Sequence, residues 1–143
     1  MRRRWWLLAC APLATGAPSL ASEPVPPLLA ELAGHTLSAV AYVMSPPGGD
    51  GRAPTLQRIM LQAYLAADGT TLVREWSPGR NTYTALARTR WSLSGDRLCL
   101  DLPNRPLCAN VHVWAPRIAG TGTQPYAMLD GDLHPGNIIA RMR

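Results

Sequence analysis

Apolar and polar residues alternate along much of this chain. Over residues 36–44, Leu37, Ala39, Ala41 and Val43 share one parity, and Ser38, Val40, Tyr42 and Met44 share the other. A period of two belongs to a strand, whose successive side chains point to opposite faces. The alternation recurs over 56–66, 71–76, 85–93, 98–102 and on to Trp114, broken by Gly, Pro and Asp. No later window carries a 3.6-residue apolar period. The pattern predicts an all-β fold: a small antiparallel meander or up-and-down barrel of about 7–8 strands.

Turn residues set the expected registers. A turn through Gly95-Asp96 pairs Leu93 with Leu98 and Trp91 with Leu100. Trp91, Leu93, Leu98, Leu100 and Leu102 then form one apolar face, with Arg88, Arg90, Ser92, Arg97 and Asp101 on the other. A turn centred on Pro103-Asn104 sets Cys99 directly opposite Cys108, the closest approach two strands offer, and predicts one cross-strand disulfide. Pro106 falls opposite Asp101, where its missing N–H does no harm. Asp68-Gly69 reads as a two-residue hairpin turn. It pairs Leu65 with Leu72 and Leu61 with Trp76, and brings Arg74 onto their face opposite Ala63. Residues 45–54 and 77–81 are loops, the first long for a hairpin. Asp130-Gly131 and Pro135-Gly136 read as turns, with strands expected near 126–129 and 137–142.

The amino terminus reads differently. Met1-Arg2-Arg3-Arg4, an apolar stretch from Trp5, and Ser19-Leu20-Ala21 make the three parts of a secretory signal peptide over residues 1–21. Residues 22–33 are expected to be a Pro-rich linker with one helical turn ended by Gly34, and 34–143 the β domain. The mature chain is then periplasmic or secreted, with no transmembrane helix, since no stretch is long and apolar enough. Leu7-Leu8-Ala9-Cys10 also resembles a lipoprotein signal, and lipidation of Cys10 is the alternative route. An even pair of cysteines in an exported chain agrees with the disulfide.

At 143 residues, 47% apolar and 16% charged, the chain is sized for one domain and too apolar for disorder. The net charge is +5; removing the leader takes three Arg and no acid, leaving 11 Arg against 9 acids and a net charge of +2. Those Arg are scattered, and nucleic-acid binding needs a clustered basic face.

Leu32-Ala33-Gly34-His35-Thr36, Ala67-Asp68-Gly69-Thr70, the run from Arg90 to Leu100 and Gly136-Asn137 together resemble small exported bacterial proteins of unknown function with a lipocalin-like β-meander. His35 stands where Asn is more frequent in those proteins. The resemblance implies fold and export and no activity.

A second likeness is local. Asp130-Gly131-Asp132-Leu133-His134-Pro135-Gly136-Asn137 resembles the catalytic loop of aminoglycoside-phosphotransferase-like kinases, and would make Asp132 the base and Asn137 a magnesium ligand. That chemistry also needs a Lys on the nucleotide phosphates, a nucleotide-binding lobe and a second metal-binding Asp downstream. The chain has no Lys, and six residues follow Asn137. The stretch is therefore expected to be a pair of turns and the protein not to be an enzyme. His35, His112 and His134 match no zinc spacing, and there is no Gly-x-Ser-x-Gly or Cys-x-x-Cys. No metal and no cofactor is expected.

Small barrels can enclose one small molecule. Trp76, Trp91 and Tyr64 supply aromatic surface for such a site and Arg74 a polar anchor. The expected function is a non-catalytic exported module binding a small apolar or amphipathic ligand. The alternative is a cell-envelope protein-interaction or inhibitor module acting through its loops 45–54 and 77–81.

Overall fold

A strand that buries one face must find a second surface, and a sheet long enough to curl can supply its own. The computed structural model, which describes residues 24–44, 49–51, 53–122 and 128–141, follows that course. Its strands are β1 (His35–Met44), β2 (Leu56–Leu65), β3 (Thr70–Ser77), β4 (Thr82–Tyr83), β5 (Ala87–Ser94), β6 (Arg97–Leu102), β7 (Arg105–Trp114), β8 (Arg117–Gly122) and β9 (Met128–Pro135). They form one antiparallel nine-stranded sheet in the order β2-β1-β9-β8-β7-β6-β5-β3-β4, closed into a ring by β2–β3 pairing. The long strands thus run up and down around a barrel. Residues 1–21, with Cys10, lie outside the described residues, and so do 45–48 and 52 of the first loop. No helix among the described residues is long and apolar enough to cross a membrane.

The inward parity is filled by aliphatic side chains: Leu37, Leu61, Leu65, Val73, Leu100 and Ile118 are each at most 2% exposed. Trp91 joins this core, and its indole N–H donates to the Ala66 carbonyl at 2.8 Å. Burying each such Leu or Ile contributes roughly 1.5–3 kcal/mol. Small residues also face in: Ala39, Ala41, Ala63 and Ala109 are all buried.

The β5–β6–β7 registers are those the turns imply. Trp91 pairs with Leu100, Leu93 with Leu98, Cys99 with Cys108 and Asp101 with Pro106. Cys99 and Cys108 are joined by a disulfide across a Cα–Cα separation of 4.1 Å.

Three expectations are corrected. The β2–β3 hairpin is one residue out of the expected register: Leu65 pairs with Thr71, Ala63 with Val73 and Leu61 with Glu75. The reason is the loop. Gly69 N donates to the Ala66 carbonyl at 3.1 Å and Ala66 N to the Thr70 carbonyl at 2.9 Å, with Gly69 at φ +81°. That is a three-residue connection, Ala67-Asp68-Gly69, ending in a left-handed glycine. One added residue turns β3 over, so Thr71, Val73 and Glu75 face in, and Leu72, Arg74 and Trp76 face out.

The second correction concerns Asp130-Gly131, which is not a turn but the middle of β9, between β1 and β8. A Cβ on Gly131 would stand 2.8 Å from the Ala39 Cβ and against the Ser38 carbonyl. The glycine is there for close approach of two backbones. The third is the carboxyl end, where Ile139–Arg141 form a turn of 3-10 helix instead of a strand. Asn137 Oδ1 caps that turn, accepting from Ala140 N at 3.1 Å.

One end of the barrel is sealed. Helix α1 (Pro27–Leu32) buries Leu32, and the 3-10 turn buries Ile139. Buried Thr36 ties the closure together: its hydroxyl donates to the Gly136 carbonyl at 2.7 Å and accepts from Ile138 N at 3.2 Å. Gly136 N donates to the Gly34 carbonyl at 2.9 Å, and Gly34 N to the Leu65 carbonyl at 2.7 Å. The Gly34-His35-Thr36 and Gly136-Asn137 stretches are therefore two halves of one clasp. Met44, Leu56, Ser77 and the β6–β7 turn at 103–104 lie at the other end.

Candidate functional site

The four residues expected to line a ligand cavity are split by the wall. Trp91 is in the core, while Arg74 and Trp76 face outward with Gln62 and Tyr64. Arg74 and Trp76 do meet, through Tyr83 of β4. The Trp76 and Tyr83 rings pack edge to face with centroids 5.2 Å apart, and the Arg74 guanidinium lies 4.5 Å from the Tyr83 centroid. Arg74 also donates from Nε and Nη2 to Gln62 Oε1, at 2.9 and 2.7 Å. Its stacking and hydrogen bonds make it a brace of the outer wall. Tyr64 stands opposite Leu72 on that same face.

Asp132 and Asn137, the positions resembling a kinase loop, serve separate structural contacts. Asp132 lies 3.5 Å from Arg117 Nε on the outer wall, and Arg117 Nη2 contacts Asp130 Oδ1 at 2.7 Å. The Asp130 hydrogen bond, then the charges of Asp130 and Asp132, push the Arg117 pKa up. A surface groove of about 310 Å³ runs beside them, past Ser38, Val40, Met60 and Tyr83. Arg117, the cation of this groove, is paired with both of its carboxylates. Among the described residues, no three His, Cys, Asp or Glu converge on a metal-sized site.

A second cleft, of about 330 Å³, opens at the loop-bearing end of the barrel. A bulge creates it. Trp76 pairs with Tyr83, and Val73 pairs with Ala87, so three steps on β3 face four steps on the neighbouring segment. The extra residue falls in 84–86 and splays the wall, as bulges do. Thr84 remains tethered, its N donating to the Glu75 carbonyl at 2.7 Å and its hydroxyl accepting from Glu75 N at 3.0 Å. Val73, Ala85, Leu86, Ala87 and Pro103 give the cleft apolar walls, and Arg74, Glu75, Thr84 and Asn104 its polar lining, so of the four expected ligand-binding residues Arg74 borders it.

Glu75 is the chemical centre of this cleft. It faces inward because of the corrected register, and its side chain is 19% exposed. Glu75 Oε2 meets Arg105 Nη2 of β7 at 3.2 Å, in a single contact rather than a two-pronged one. The other atoms of this pair, Glu75 Oε1 and Arg105 Nε, are buried with no hydrogen-bond partner among the described residues. Deeper in the wall, Thr71 and Thr89 stand directly opposite each other, and their hydroxyls are likewise buried and unpartnered. A buried polar group left unmatched costs about 1–3 kcal/mol, so each needs a reason.

Neither Glu75 nor Arg105 was among the expected site residues. Arg105 was legible: it keeps phase with Leu107, Ala109 and Val111, so a charge sits on the buried parity of β7. Glu75 was not, because the two-residue turn assigned it to the outer face.

Comparison with protein-family models, with curated proteins and with solved structures finds no match for this chain.

Proposed function

We propose that the protein is a non-catalytic exported module that holds a small amphipathic ligand in the cleft between β3 and the β6–β7 turn. One observation carries the reading: an apolar cleft contains a carboxylate, Glu75, with one oxygen paired and the other buried and unpartnered. Apolar walls with a few convergent polar groups are the usual make-up of a small-molecule site. Aliphatic side chains and Trp91 occupy the barrel interior, which favours a site at the mouth. Export is supported by the leader-like residues 1–21, cleaved after Ala21, and by a cysteine pair suited to an oxidising compartment. The protein is read as a relative of small exported proteins with a lipocalin-like meander.

The test is native mass spectrometry of the chain recovered from the envelope of its host, beside the Ala87→Trp variant, whose indole would fill the cleft. A small molecule carried by the wild type and lost from the folded variant is the expected result. A wild type that carries nothing, and that no amphiphile stabilises against heat, overturns the reading.

A second reading, a protein-interaction module of the cell envelope, is favoured by where two strands end. β1 ends at Met44 and β3 at Ser77, at the same end of the barrel. Replacing 78–81 with a short Gly-Ser turn would abolish partner capture under that reading and leave small-molecule binding in place.

A further inference from the structure

The outer-wall groove beside Arg117 combines an apolar strip with an open polar rim. Val40 of β1 pairs with Met60 of β2 on one side and with Asp130 of β9 on the other, and Ser38 pairs with Asp132 one row along. All five line the groove. Tyr83 also lines it, and is held by the Arg74 guanidinium, 4.5 Å from its ring centroid, and by the Trp76 ring at 5.2 Å. That wall is preformed and loses little freedom when a ligand binds.

The polar groups are within a ligand's reach. The Arg117, Asp130 and Asp132 side chains are 47%, 60% and 47% exposed. Each carboxylate meets Arg117 through Oδ1 and keeps acceptor capacity, and Arg117 uses Nη2 and Nε on them and keeps the N–H groups of Nη1. The Ser38 and Tyr83 hydroxyls make no hydrogen bond to another described residue. At about 4.8 Å per strand, the strip from Asp130 over Val40 to Met60 is about 10 Å wide. We infer that the groove seats one neutral sugar ring, a pyranose, with its C–H face on Val40 and Met60 and its hydroxyls on Asp130, Asp132, Arg117 and Ser38.

Other ligand classes match less of this surface. An anion meets two carboxylates and a guanidinium already paired with both. An ammonium has no acceptor for the Arg117 N–H groups. A purely apolar molecule strips water from the polar rim and replaces none of its hydrogen bonds. Each sugar hydroxyl both donates and accepts, and the ring's C–H face covers the strip. The volume of about 310 Å³ lies at the small end of ligand sites and suits a single ring.

The groove shares no lining residue with the cleft, so the two sites are tested independently. Backbone amides of the isotope-labelled, disulfide-bonded protein are followed by NMR as probes are added. The probes are methyl β-glucoside, methyl β-galactoside and methyl N-acetyl-β-glucosaminide, beside cyclohexylammonium and cyclohexanecarboxylate, which keep the ring size and lack the hydroxyls. At least one glycoside is expected to shift the Val40, Met60, Tyr83 and Asp132 amides saturably. It is expected to bind at least about threefold tighter than either ion, the worth of one hydrogen bond. Val40→Trp, whose indole fills the groove, is expected to abolish the shifts. Asp130→Ala, at an exposed position, is expected to weaken binding by about threefold or more. No shift with any glycoside, shifts confined to other amides, an ion that binds as tightly, or binding unchanged in either variant overturns the assignment. The glycoside that binds is then compared with its own trisaccharide. Tighter binding of the trisaccharide assigns the ring to a glycan chain and equal or weaker binding to a free sugar, and both results support the site.

Discussion

The indole N–H of Trp91 donates to the carbonyl of Ala66 across 2.8 Å, and the Trp91 backbone N–H donates to Gly69 at 2.9 Å. The side chain that fills one end of the core therefore also holds the loop that decides which face of β3 is buried. Trp91→Phe is expected to cost about 1–2 kcal/mol through the lost hydrogen bond. Trp91→Ala is expected to cost about 3–5 kcal/mol through the cavity it opens. Urea unfolding of the two variants would give both values.

Thr36 joins the first and last segments of the barrel. Thr36→Val keeps the shape and strands the Gly136 carbonyl and Ile138 N–H, for an expected loss of about 2–4 kcal/mol. Thr36→Ser should retain most of the stability. Hydrogen exchange over Ile138–Arg141 should quicken in the Val variant and stay slow in the Ser variant.

Gly131 distinguishes a strand from a turn at Asp130-Gly131. A methyl group there meets the backbone of Ser38 and the side chain of Ala39. Gly131→Ala is expected to destabilise the fold by at least about 1–3 kcal/mol, the range for overpacking. Full stability of this variant in a thermal melt would contradict the β1–β9 pairing.

The Thr71 and Thr89 hydroxyls lie buried side by side without partners among the described residues. Replacing both with Val removes two unmatched groups and keeps the shape. The double variant is expected to be more stable than wild type by about 1 kcal/mol or more. Lower stability in denaturant would show that the hydroxyls share a bond through another group.

Asp68 accepts from the Thr70 hydroxyl at 2.6 Å and from Thr70 N at 2.9 Å, and these bonds, the hydroxyl's first, hold its carboxyl below the ordinary 3.8. A depressed folded value means that the carboxylate supports the loop above the unfolded value and loses that effect as pH falls through the folded one. The stability gap between wild type and Asp68→Asn should be present at neutral pH and close in acid. Titration of the Thr70 amide by NMR should give a midpoint below 3.8.

By itself the sequence determined the all-β class, the alternation of buried and exposed residues, and the β5–β6–β7 hairpins with Cys99 facing Cys108. These follow from near neighbours: short turns bring the strands together, and a period of two allots their faces. Even the charge on the buried parity of β7, at Arg105, stands in plain view. Tertiary structure alone decided the rest. The face of β3 depended on one residue in the 66–70 loop, and a one-residue slip exchanges Arg74 and Trp76 for Glu75. Pairing of β1 with β9 joins segments nearly a hundred residues apart, which no local pattern encodes. The cleft exists only where the bulge at 84–86, the β6–β7 turn and β3 meet, three segments that no local pattern brings together.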